Sequence, residues 1–120
     1  MTSQGSPYST FKRALVRGSL TQILAAAAEL PHIALDDALA ICAAMQGHEQ
    51  ADRAAVRWLA RLALERPTVR LEDLRAGLAA FEAFPYNPHG ARRALDELCR
   101  QHGVGTIKRK PPGNGDDVPD

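Results

Sequence analysis

Arg53, Arg57 and Arg61 recur at every fourth residue, in a stretch whose apolar positions read as helical. On an α-helix that spacing sets all three along one edge. A row of guanidinium groups suits phosphates or a partner's acidic surface, because each planar fork donates two parallel hydrogen bonds. The plainer reading is a solvated face, with Glu49, Asp52 and Glu65 as partial neutralisers. Arg66 and Arg70 carry the basic character past the end of the helix. Trp58 falls between Ala54, Ala55 and Leu62, on the apolar side, and is assigned to the core. Phe81, Phe84 and Tyr86 close a later helix, with Pro85 and Pro88 bracketing Tyr86 and Asn87. These aromatics plug the end of the helical layer, or, if Phe84 and Tyr86 are exposed together, mark an interaction patch.

Other reactive side chains form no constellation. His32, His48, His89 and His102 are scattered over loops and helix ends. Cys99 and His102 stand three residues apart, but a zinc site needs at least three protein ligands, and no second pair has compatible spacing. Cys42 and Cys99 each lie on an apolar stripe, where burial raises the thiol pKa and suppresses nucleophilicity. Gly113 and Gly115 have no strand before them or helix after them, so they make no phosphate loop. No two carboxylates stand out as an acid and base pair. A small Ala-rich helical layer is expected to leave little room for a polar cleft. The expectation is a protein without catalytic residues, metal or cofactor. Lys108, Arg109 and Lys110 make a short basic cluster that Asp116, Asp117 and Asp120 offset.

The elements that must position these residues read as six helices and no strand, since no β-branched run alternates with polar residues. The first covers 7–17 and stops at Gly18. The second opens at Ser19, with Gln22 three residues on as in a capping box, and Pro31 ends it. The third starts near Leu35, with Asp36 and Asp37 in the first turn and Gly47 as a stop. The fourth spans 49–66 and precedes Pro67; the fifth spans 71–84. The sixth opens with Asn87 as N-cap and Pro88 as its first residue, and ends near Gly103. Residues 1–6 are read as a flexible N-terminus, 7–103 as a single domain, and 104–120 as a disordered tail poor in apolar groups.

Two segments echo each other. Glu-Leu-Pro-His-Ile-Ala-Leu-Asp-Asp (29–37) matches Glu-Arg-Pro-Thr-Val-Arg-Leu-Glu-Asp (65–73), with prolines at 31 and 67. The 36-residue offset is the size of a helix–turn–helix repeat. It pairs the stripe Leu35, Ala38, Cys42, Met45 with Leu71, Leu74, Leu78, Phe81. It also pairs Ile23, Ala26, Ala27 with Leu59, Leu62, Ala63. The echo predicts one hairpin used twice, the second helix with the third and the fourth with the fifth, capped by the first and sixth. Duplication and convergence on a cheap local solution both account for it. The all-α chain is therefore expected to form a compact bundle or a short α-solenoid-like layer.

Composition sets bounds. At 120 residues the length fits one domain with a core of its own. Aromatics make up only 5%, so Ala and Leu must build most of the core. Fifteen basic against fourteen acidic residues leave +1, too little for a global field that draws the chain to nucleic acid or anionic membrane. Two cysteines are too few for a disulfide scaffold. The polar start shows no apolar signal region, and the longest apolar run is far short of a membrane span. A reducing cytoplasm is the expected location. Heavy use of Ala, Arg, Gly and Pro fits a GC-rich bacterial genome.

Ala-Ala-Glu-Leu-Pro (27–31), Leu-Asp-Asp-Ala-Leu (35–39), Arg-Ala-Ala-Val-Arg-Trp-Leu-Ala-Arg (53–61) and Leu-Glu-Asp-Leu-Arg-Ala (71–76) carry a resemblance to small, uncharacterised Ala- and Arg-rich helical proteins of actinobacteria. It covers about two-thirds of the chain and implies an all-helical bacterial protein, with no activity to carry over. The function expected is a non-enzymatic module that binds another protein through Arg53, Arg57 and Arg61, with Phe84 and Tyr86 second. The alternative is a nucleic-acid-binding regulator that uses the same arginine row.

Overall fold

The computed structural model describes residues 6–105. Six helices follow one another: α1 (Pro7–Arg17), α2 (Leu20–Ala28), α3 (Leu35–Ala44), α4 (Ala51–Glu65), α5 (Leu71–Ala83) and α6 (Pro88–Gln101), and the described residues contain no strand. Local chemistry explains the ends. The Ser6 hydroxyl accepts from the Ser9 N–H at 3.0 Å and opens α1. The Ser19 hydroxyl accepts from Gln22 N–H at 3.4 Å and opens α2. Asn87 Oδ1 accepts from Gly90 N–H at 3.1 Å, with Pro88 beginning α6. Gly18 takes a left-handed φ of 83°, which lets α1 turn into α2 across two residues. Asp73 reaches back to the Arg70 N–H at 2.9 Å, half of a capping box at the start of α5.

The tightest helix pairs are α1 with α2, α3 with α4, and α5 with α6; α4 meets α5 less closely, and α3 rests more lightly on α1 and α2. The molecule is thus a bundle of three successive hairpins. This corrects the expected phase, in which the second helix paired with the third and the fourth with the fifth. Pro31 and Pro67 lie in the links between hairpins, not within them. Ala34 and Arg70, the residues before α3 and α5, are extended at ψ 158° and 171°, as N-cap residues usually are. Burial also fails to follow the 36-residue offset. Leu35 is 4% exposed while Leu71 is 72%, and Cys42 is buried while Leu78 is half-exposed.

The reason lies in where the two helices sit. α3 is sandwiched. Leu35, Leu39 and Cys42 face the main core of α3 to α6, while Ile41 and Ala44 pack against a smaller core of Phe11, Ala14, Ile23, Ala26 and Ala27. α5 has neighbours on one side only. It buries Gly77, Ala80 and Phe81, a stripe turned by roughly a quarter of the helix circumference from the expected one. A Cβ on Gly77 would stand 2.6 Å from Leu59 Cδ2, so glycine here lets α5 lie close on α4. Trp58 is buried in the main core as expected.

Both domain boundaries move outward. Ser6 caps α1, and Val104 is buried in the main core with its N–H bonded to the Cys99 carbonyl at 2.8 Å. The chain can return to the core because Gly103 adopts φ 76° after α6. Removing two buried methyl groups by Val104→Ala is expected to cost about 2 kcal/mol in urea unfolding; an unchanged midpoint would return Val104 to the tail. Residues 1–5 and 106–120, which include Lys108, Arg109, Lys110, Gly113 and Gly115, lie outside the described residues. Among the described residues no helix is long and apolar enough to cross a membrane.

Candidate functional site

The arginine row lies on α4 as its spacing requires, yet its three members differ in what they do. At 100° per residue, Arg53, Val56, Arg57, Ala60 and Leu64 fall within an arc of roughly 100°. The opposite side carries Ala51, Ala55, Trp58, Leu59 and Leu62, all buried. The outer arc is exposed along its whole length, with Leu64 at 86%. Among the described residues neither Arg53 nor Arg57 joins an ion pair. Arg61, at the edge of the arc, is committed to the fold. Its Nε contacts Glu65 at 2.5 Å, and its terminal nitrogen donates to the Ile33 carbonyl at 2.5 Å, which pins the link between α2 and α3 to α4.

Phe84 and Tyr86 are separated. Phe84 is 8% exposed and stacks on Phe81, with ring centroids 6.1 Å apart. Tyr86 is 87% exposed. The expected pairing of the two as a surface patch is corrected: Phe84 is spent on the core, because α5 turns its Phe81 edge inward and Phe84 follows one turn later.

The stretch that begins with Arg53 is locally basic along the sequence. Residues 53–70 hold five arginines and one glutamate, a net +4. Since the whole chain is +1, the other residues carry −3. Near-neutrality overall hides this local excess, of which Arg53 and Arg57 stand exposed on the outer arc of α4.

A second region was not legible. A cleft of about 710 Å³ lies between α1, α3 and α6, lined by Lys12, Asp36, Asp37, Arg92, Asp96 and Arg100 over Leu39, Ala40, Cys99 and Val104. The cleft is open to solvent along its length, a groove on the surface. Several of its charges are held in ion pairs. Asp37, 3% exposed, accepts from Tyr8 Oη at 3.0 Å and Lys12 Nζ at 3.2 Å, tying α1 to α3. Arg92 pairs with Asp96 at 3.1 Å, and Arg100 grips the Glu97 carboxylate. Cys99 is pushed up to about 11, by burial first and then by the negative charges of Asp96 and Asp36. A thiol held protonated in this way is a poor nucleophile.

His102, read as a scattered loop histidine, closes the far end of the third hairpin. Its Nδ1 lies 2.7 Å from Thr68 Oγ1, and its buried Nε2 stands 3.2 Å from Asp73 without an aligned hydrogen bond. The end of α6 is thereby held to the start of α5. Among the described residues no group of three or more His, Cys, Asp or Glu is placed to hold a metal ion. No family model, curated protein or solved structure matches the chain.

Proposed function

We propose that this chain is a small helical module that binds another protein, and that the outward face of α4 is its docking surface. One observation carries the reading: a three-turn helix face that presents Arg53 and Arg57 beside Val56, Ala60 and Leu64, with no role in the fold. Charged and apolar groups set together on a rigid helix resemble the core and rim of a protein interface, where arginine is enriched and both surfaces lose water on contact. The ion pairing of Lys12, Asp37, Arg92, Asp96 and Arg100 and the raised pKa of Cys99 support a binding role over a catalytic one.

The arginine strip also admits the nucleic-acid reading, and one experiment on each separates them. A photo-crosslinking residue at Ala60 is expected to capture a protein in the producing cell. The same residue at Glu82 on α5 is expected to capture none, and Arg53→Glu with Arg57→Glu is expected to abolish the capture at 60. Identical products at both positions would remove the α4 surface. Titration of binding to random duplex DNA against salt is expected to show no binding at low salt. A steep linear dependence of log affinity on log salt would favour the nucleic-acid reading instead.

A further inference from the structure

We infer that the occupant of the α4 face is an acidic amphipathic helix of a different protein, an assignment that rests on the docking role proposed above. Val56, Ala60 and Leu64 follow one another at intervals of four and make a single apolar row along the helix. Ala60 is the low point between two larger side chains, so a leucine or similar residue of an apposed helix can seat there. A helix lying in this row meets Arg53 and Arg57 on one flank, both exposed and outside any ion pair. Its own flanking residues must therefore be Asp or Glu, with apolar residues at three- and four-residue intervals.

Charge argues against the two other occupants of such a face. A second copy of this chain, docked antiparallel through α4, would set Arg57 beside the partner's Arg61 and bring Arg53 towards the partner's arginine-rich link. Nucleic acid would satisfy the arginines but leave the Val56, Ala60 and Leu64 row without an apolar counterpart. Only an acidic amphipathic segment complements both halves of the surface.

The test uses the full chain and three synthetic peptides: a helical Leu/Glu amphipath, the same peptide with every Glu replaced by Lys, and a shuffled Leu/Glu sequence without a helical stripe. Amide chemical shifts of the chain report the site, and fluorescence anisotropy reports affinity. The acidic amphipath is expected to shift the α4 resonances. Its affinity is expected to fall about tenfold with Arg53→Glu/Arg57→Glu, and by a similar factor with Leu64→Asp. All three substitutions are on exposed positions, and circular dichroism checks that the variants stay folded. The Lys peptide is expected to bind the doubly substituted chain better than the original. Equal binding of the shuffled peptide, or shifts away from α4, would overturn the assignment. Sedimentation that shows a dimer dispersed by Leu64→Asp would give the face to a second copy, and competition by duplex DNA would give it to nucleic acid. If crosslinking at position 60 yields an Arg-dependent protein adduct but the acidic amphipath does not bind, the occupant is wrong and the docking face stands. If neither occurs, the docking role falls as well.

Discussion

Trp58→Ala is expected to lower the unfolding free energy by about 3–5 kcal/mol, enough to leave a domain of ordinary stability close to unfolded at room temperature. Three interactions meet in this side chain. It is 2% exposed, at the centre of the core that α3 to α6 share. Its Nε1 donates to the Leu35 carbonyl at 2.8 Å, so the helix that follows the Pro31 link is fastened to α4. Its ring meets Phe81 edge-on, with centroids 6.0 Å apart and planes at 71°, and this contact joins α4 to α5. Loss of the indole therefore loosens the α3–α4 hairpin itself and its joint to α5, and leaves a cavity. Trp58→Phe keeps an aromatic ring and removes the donor, and is expected to cost about 1–2 kcal/mol in addition to a small change in packing. Urea unfolding followed by far-ultraviolet circular dichroism measures both. A loss below 1 kcal/mol for the alanine variant would mean that the second hairpin holds together and joins the third without this residue.

A second large effect is expected in alkali. Burial pushes both Cys42 and Cys99 from 9.0 up to about 11. Below pH 9 the folded and unfolded chains both keep these protons, and the thiols contribute no pH dependence. Between pH 9 and 11 the unfolded chain ionises first and is favoured, so stability falls as pH rises. Two pKa units correspond to about 3 kcal/mol for each thiol, and the pair together to about 5 kcal/mol by pH 11. Cys42→Ala with Cys99→Ala is expected to be somewhat less stable at pH 7, because two buried sulfur atoms are lost, but to decline less between pH 9 and 11. Urea midpoints of the two proteins at pH 7, 9, 10 and 11 decide it. Parallel declines would show that other groups, such as lysine and tyrosine, govern the alkaline limb.

The local parts of the fold were legible because they depend on a few neighbouring atoms. Ser19 and Asn87 each supply an oxygen to an unpaired N–H three residues on, whatever surrounds them. Gly18 turns left-handed at no steric cost, and Pro88 fits the first turn of a helix because it has no N–H to satisfy. The placement of Trp58 on the inner side of its helix follows from period alone. The same period placed Leu71 and Leu78 in the core, where the fold does not put them. α5 offered two plausible faces, and the aromatic edge of Phe81 and Phe84 with the small Gly77 and Ala80 won, because it fits against Leu59 and Leu98 at close range. Once that edge turned inward, Phe84 left the surface and Leu71 entered it.

The candidate surface divides in the same way. That Arg53, Arg57 and Arg61 share one edge was fixed by their spacing. That Arg61 reaches across 28 residues to the Ile33 carbonyl, while Arg53 and Arg57 stay free of ion pairs, depends on how the hairpins meet. The cleft among Lys12, Asp37, Arg92 and Asp96 had no signal in the chain, since its walls come from α1, α3 and α6. By itself, then, the sequence determined six helices, their caps and breaks, and the inner side of α4, all set by hydrogen bonds and periodicities within a few residues. Only the tertiary structure decided which helices pair, which face of α5 is buried and which arginines remain available. Those choices are settled by the fit of side chains distant in sequence, and local propensities are nearly indifferent among them.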